Sequence, residues 1–138
     1  MNDHNEPEEM IIQVGDLELH VRGSAERAPG VARQFVGEWF ESRGNADVYT
    51  AQLIVSELVT NALQHGKGPV VVRVMRDESD ELPVVEVEDG GNGLPIVQPE
   101  SATAIDGRGL LLVSALAKEW GIRQLPGGGK VTWAKCAL

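Results

Sequence analysis

The chain has 138 residues, 42% of them hydrophobic, and carries 12 Lys and Arg against 21 Asp and Glu for a net charge of −9. That length suits one domain, and that apolar share supports a core, which excludes a chain disordered throughout. The acidic balance, with no Lys/Arg cluster to offset it, repels a phosphate backbone and excludes broad nucleic-acid binding.

Cys136 is the single cysteine, so an internal disulfide framework and a multi-cysteine zinc site are both excluded. No apolar run approaches the ~18 residues of a membrane span. Met1 to Glu9 (MNDHNEPEE) is polar and acidic, the opposite of a signal peptide. These features lead us to expect a disordered acidic tail over 1–9, one domain over 10–138 and a cytoplasmic location.

In chain order, Leu17, Leu19 and Val21 alternate with Glu18, His20 and Arg22, the pattern of a half-buried strand. Gly15-Asp16 is either a turn between two short strands or part of one bent strand. Ser24 to Gly30 reads as a loop. Val31, Phe35, Val36 and Trp39 then fall at helical spacing, ending near Gly44. A second helix starts at the N-cap Asp47 and buries a broad face of Leu53, Ile54, Leu58, Val59, Ala62 and Leu63. Gly66 to Pro69 ends it.

Val70 to Arg76 reads as a strand, Asp77 to Pro83 as an acidic turn, and Val84 to Glu88 as the next strand. Strand alternation puts Val85, Val87 and Asp89 on one face. A carboxylate is thereby aimed the same way as two core valines. Residues 90–109 hold five glycines and two prolines, too long a connection to be ordinary. Leu110 to Lys118 reads as an apolar helix and Glu119 to Gln124 as a strand. Leu125 to Gly129 is a turn before the last strand, Lys130 to Ala134.

Four segments carry candidate chemistry. Glu57 and Asn61 stand four apart on the second helix, one turn from each other, where an acid and an amide oxygen suit a hard cation and a neighbouring proton acceptor. By itself, such a pair is usually a solvated polar face. Asp89-Gly90-Gly91-Asn92-Gly93 follows a strand, and its glycines permit close backbone approach to a ligand. Read alone, it is an ordinary turn. Gly107-Arg108-Gly109 opens a helix, where free amides suit an anion. It is neither a Walker A loop nor a dinucleotide fingerprint. Gly127 to Thr132 is a hairpin turn running into a strand, and the functional reading adds only Thr132.

The order of these segments says more than any one of them. ExxxN on a helix, D-x-G-x-G after a strand, G-x-G before a helix and a glycine-rich turn ending in Thr together resemble the GHKL superfamily of ATP-binding domains, over about residues 10–138. Within it the chain looks most like the stand-alone anti-sigma-factor serine/threonine kinases. The wording SELVTNALQHG and the preceding helix PGVARQFVGEWF, with Ala32-Arg33, carry that likeness.

The resemblance implies an α/β two-layer sandwich: a mostly antiparallel mixed sheet of four or five strands with three helices on one face. The other face is left to solvent or to a homodimer. It implies ATP and Mg²⁺ as ligands. Asn61 would hold the metal and Glu57 would act as general base. Asp89 would accept from the adenine amine, with Gly91 and Gly93 shaping the base pocket. Gly107, Arg108 and Gly109 would cradle phosphates, Thr132 would support the adenine end, and Arg33 would face a protein partner. The implied partners are a sigma factor and its anti-anti-sigma antagonist of the STAS type. Leu94 to Asp106 should form the lid, and it departs from the family pattern. It holds no Lys or Arg, and Asp106 stands where these kinases often carry a basic residue, so either Arg108 neutralises the γ-phosphate charge or the kinase step is weak. A non-catalytic, ATP-dependent binding module is the rival reading.

Overall fold

The computed structural model describes residues 10–15, 17–22, 26–43, 47–91 and 105–137, with side chains described for all of these except 105–109. The tail over 1–9, the glycine at 93 and residues 94–104 of the expected lid lie outside the described residues, while the lid's last two positions, Ile105 and Asp106, are helical instead.

Nine elements follow one another. They are β1 Met10–Val14, β2 Glu18–Arg22, α1 Ala28–Ser42, α2 Val48–His65, β3 Val70–Arg76, β4 Pro83–Asp89, α3 Ile105–Leu116, β5 Glu119–Gln124 and β6 Lys130–Lys135. The strands form one six-stranded sheet in the order β1-β2-β3-β4-β6-β5. Every neighbouring pair is antiparallel. The sheet is therefore larger than the four or five strands expected, and among the described residues it is not mixed.

The extra strand comes from the open alternative at residues 10–22. Gly15 takes φ +67, a conformation that glycine enters without penalty, and the chain folds back as a hairpin rather than a bent strand. Leu19 and Val21 of β2 are buried, whereas Leu17 lies in the connection and is 47% exposed.

The helices cover one face of the sheet. Leu19, Val21, Val70, Val72, Val74, Val85, Val87 and Ala134 from the strands share a core with Phe35, Val36, Trp39 and Phe40 of α1, Ile54, Val55, Leu58 and Val59 of α2, and Leu110 and Val113 of α3. This is the period-2 face of each strand meeting the apolar stripe of each helix. On the opposite face, Arg73 bridges Glu18 at 2.9 Å and Glu88 at 2.8 Å, linking three strands through charged side chains.

Two helix starts differ from expectation. α1 begins at Ala28, inside the expected loop, because Pro29 sits in its first turn, where a missing N–H costs nothing. α3 begins at Ile105 rather than Leu110. Gly107 and Gly109 disfavour a helix locally, but Leu110 and Val113 are buried in the core and anchor the segment as one helix. α2 starts as expected, with the Asp47 side chain accepting from the Thr50 amide.

The acidic turn between β3 and β4 is tied to the far end of β6. Lys135 Nζ lies 2.9 Å from both Asp77 and Asp80. Bonds from Ser79, then from Lys135, hold the Asp77 carboxyl well below its ordinary range. The Leu82 amide, then Lys135, does the same for Asp80. A carboxylate whose folded-state value is depressed adds stability above its unfolded value, about 3.8 here, and loses it as pH falls through the folded one. Thermal unfolding from pH 6 down to pH 2 should therefore show a falling midpoint below about pH 4. In Asp77→Asn/Asp80→Asn that acid slope should be shallower; an unchanged slope would place the acid sensitivity elsewhere.

Candidate functional site

Three chain ends meet at one corner of the helix-covered face: the C-terminus of α2, the end of β4 and the start of β6. Asp89, the last residue of β4, is 4% exposed and faces the helices, as strand alternation requires. Its Oδ1 accepts from the Gly91 amide at 2.7 Å and from Lys130 Nζ at 3.1 Å. Asp89 and Lys130 are direct cross-strand neighbours, and Thr132, opposite Val87, follows two residues along on the same face. Thr132 is 7% exposed.

The α2 terminus closes the corner. The Gly66 amide bonds back to the Ala62 carbonyl at 2.8 Å, and the Gly90 amide reaches the Lys67 carbonyl at 2.6 Å. A Cβ on Gly66 would stand 2.5 Å from Asp89 Cγ and 2.6 Å from the Ala62 carbonyl oxygen, so only glycine fits between helix and carboxylate. A Cβ on Gly91 would come within 3.1 Å of Asp89 Oδ1. The glycines thus let the backbone pack closely against one buried acid.

Glu57 and Asn61 are both half-buried on α2. Ser56 marks the side of that helix facing α1, because its Oγ accepts from Arg33 Nη1 at 2.9 Å. At ~100° per residue, Glu57 and Asn61 lie about 100–140° around from Ser56, on the flank away from α1. Arg33 is exposed on α1, with its guanidinium laid against α2 rather than projecting free.

Gly107, Arg108 and Gly109 lie inside the first turns of α3 rather than ahead of it. The Gly107 amide then falls in the turn whose N–H groups have no carbonyl partner within the helix, which keeps the anion-binding chemistry available.

The structure thus brings Asp89, Gly91 and Thr132 together and sets Glu57 and Asn61 on one α2 flank. Two residues at the corner were not singled out from the sequence. Gly66 reads there only as a helix terminator, and Lys130 only as the first residue of a strand. The alternation of Lys130, Thr132 and Ala134 was a signal that the lysine faces inward. A separate cleft of about 250 Å³ lies between β1 and α1, lined by Gln13, Phe35, Glu38, Trp39, Ser42 and Arg43, and none of the expected site residues lines it.

Residues 22–135 match the histidine kinase-like ATPase domain. The chain belongs to that family. Its span runs from the end of β2 to the end of β6, so it contains the whole corner around Asp89 as well as Glu57 and Asn61. No curated protein matches the chain. As a histidine kinase-like ATPase domain, the protein has an ATP-binding fold. Mg²⁺ ordinarily takes only one or two protein oxygens, the rest coming from phosphates and water. The Asn61 side of α2 can supply that much. Among the described residues no helix is long and apolar enough to cross a membrane.

Proposed function

We propose that the protein is an ATP-dependent regulatory switch, an anti-sigma factor that phosphorylates a serine or threonine on a STAS-type anti-anti-sigma antagonist. The supporting observation is the corner itself: a buried carboxylate, flanked closely by Gly66 and Gly91, at the end of the helix that carries Glu57 and Asn61. The SELVTNALQHG wording of that helix supports the narrower kinase reading.

In this reading Asp89 accepts from the adenine amine, with Gly91 and Gly93 around the base and Thr132 behind it. Asn61 contributes an oxygen to Mg²⁺, and the glycines at 107 and 109, with Arg108, receive the phosphates. ATP supplies the phosphoryl group, and Mg²⁺ neutralises charge on it. Glu57 accepts the proton of the attacking hydroxyl, which requires it to be ionised and within hydrogen-bond reach of that oxygen. Arg33 offers a guanidinium on the α1–α2 seam to a carboxylate of the partner.

The test is incubation of the full chain with γ-labelled ATP, Mg²⁺ and candidate STAS-type proteins. Label on a serine or threonine of the antagonist is the expected result. ATP binding without transfer to any of them would favour the non-catalytic switch, which the acidic residue at 106 also favours. Failure to bind ATP at all would overturn both.

A further inference from the structure

We infer that Lys130 sets the base selectivity of the nucleotide site by holding Asp89 as an ionised carboxylate that can only accept hydrogen bonds. The inference rests on the reading of Asp89 as the residue that meets the purine.

The geometry supports a tight coupling. Lys130 and Asp89 face each other across β4 and β6, both at most 5% exposed. Nζ stands 3.1 Å from Oδ1, and the same oxygen takes the Gly91 amide at 2.7 Å. With Gly66 packed against Cγ, the carboxylate is pinned on one oxygen by two donors and walled on one side. An ion pair this deeply buried is weak ground for stability, because desolvating both charges offsets most of their attraction. An apolar pair at positions 89 and 130 would fill the same space at no greater cost. The lysine is better explained by what its charge does to Asp89.

The chemistry follows from donors and acceptors. A 6-amino purine presents an N–H to the site, and an ionised carboxylate accepts it. A 6-oxo purine presents a carbonyl oxygen, which meets that carboxylate as acceptor against acceptor. A neutral carboxylic acid reverses the match, since its O–H donates to the 6-oxo group while its carbonyl oxygen accepts the ring N1–H. Burial without a counter-charge favours the neutral acid. Lys130 is therefore a positioning residue that keeps the site on the amino side of this choice.

The experiment compares Mg²⁺-dependent binding of ATP and inosine triphosphate by calorimetry, in the unmodified chain, Lys130→Met and Lys130→Arg. The unmodified protein should prefer ATP by about a hundredfold or more. Lys130→Met should lose ATP affinity by about tenfold and gain inosine triphosphate affinity, so that the ratio collapses toward one. Lys130→Arg, which keeps the charge, should preserve the preference. A folded Lys130→Met with the original ratio would overturn the inference, because a structural role alone would weaken both nucleotides together. Should Lys130→Met fail to fold, Lys130→Gln keeps a donor of similar length without the charge and decides the matter by the same ratio. If the unmodified chain binds neither nucleotide, the ATP reading fails, and the inference with it; if it binds ATP and only the ratio test fails, the ATP reading stands.

Discussion

Asp89→Asn should lose both stability and nucleotide, and the two losses should separate in a double variant. The substitution keeps the shape of the side chain but removes its charge, leaving the Lys130 ammonium buried at 5% exposure without its counter-charge. Removing one partner of a buried pair costs about 3–5 kcal/mol. For a domain of this size that is a drop of about 10–20 °C in the unfolding midpoint. The amide also presents a donor where the adenine amine needs an acceptor, so ATP binding should fall further than the loss of fold explains. Asp89→Asn/Lys130→Met removes both charges and should recover most of the midpoint, since no unpaired charge is left buried and the Asn oxygen can still accept from the Gly91 amide. It should not recover ATP binding. Thermal melts and calorimetry on the three proteins check this. A double variant that regains ATP affinity along with its midpoint would show that Asp89 serves the fold alone.

Glu57→Gln should leave ATP and Mg²⁺ binding near the unmodified level and lower phosphate transfer to the antagonist by about 10²–10⁴-fold, the range attributed to a positioned general base. The separation follows from the architecture. The Asp89 corner is built from the end of β4, the start of β6 and Gly66, about two and a half turns along α2 from Glu57. Glu57 is half-buried on the flank away from α1, so the change to an isosteric amide removes a proton acceptor without opening the core. Equilibrium binding and transfer of labelled phosphate, measured on the same preparations, decide it. Transfer unaffected in Glu57→Gln would assign the proton to another group, and a parallel loss of binding would place Glu57 in the nucleotide contacts instead.

Much of this was legible in the linear chain because it is local. Alternation in PVVEVED alone places Asp89 on the core face, since side chains on a strand switch sides at every residue. The spacing of Glu57 and Asn61 alone places them on one helix face. Asp47 and Gly66 mark the ends of α2 through capping chemistry that acts within one turn. The ordered series of boxes was enough for the family resemblance that the match over residues 22–135 establishes.

What tertiary structure alone decided involves partners distant in sequence or competition between local and core energies. The hairpin at Gly15 was settled by the pairing of β1 with β2, and the inclusion of Gly107 and Gly109 in α3 by core packing around Leu110 and Val113, which outweighs local preference. The pairing of Asp89 with Lys130 depends on the β4–β6 register between residues 41 apart. Alternation shows that each faces inward, but not that they face each other. Gly66 likewise reads as a stop signal until the fold sets the Asp89 carboxylate where its side chain would be. Periodicity encodes which face a residue takes; only closing the sheet determines which charge it meets there.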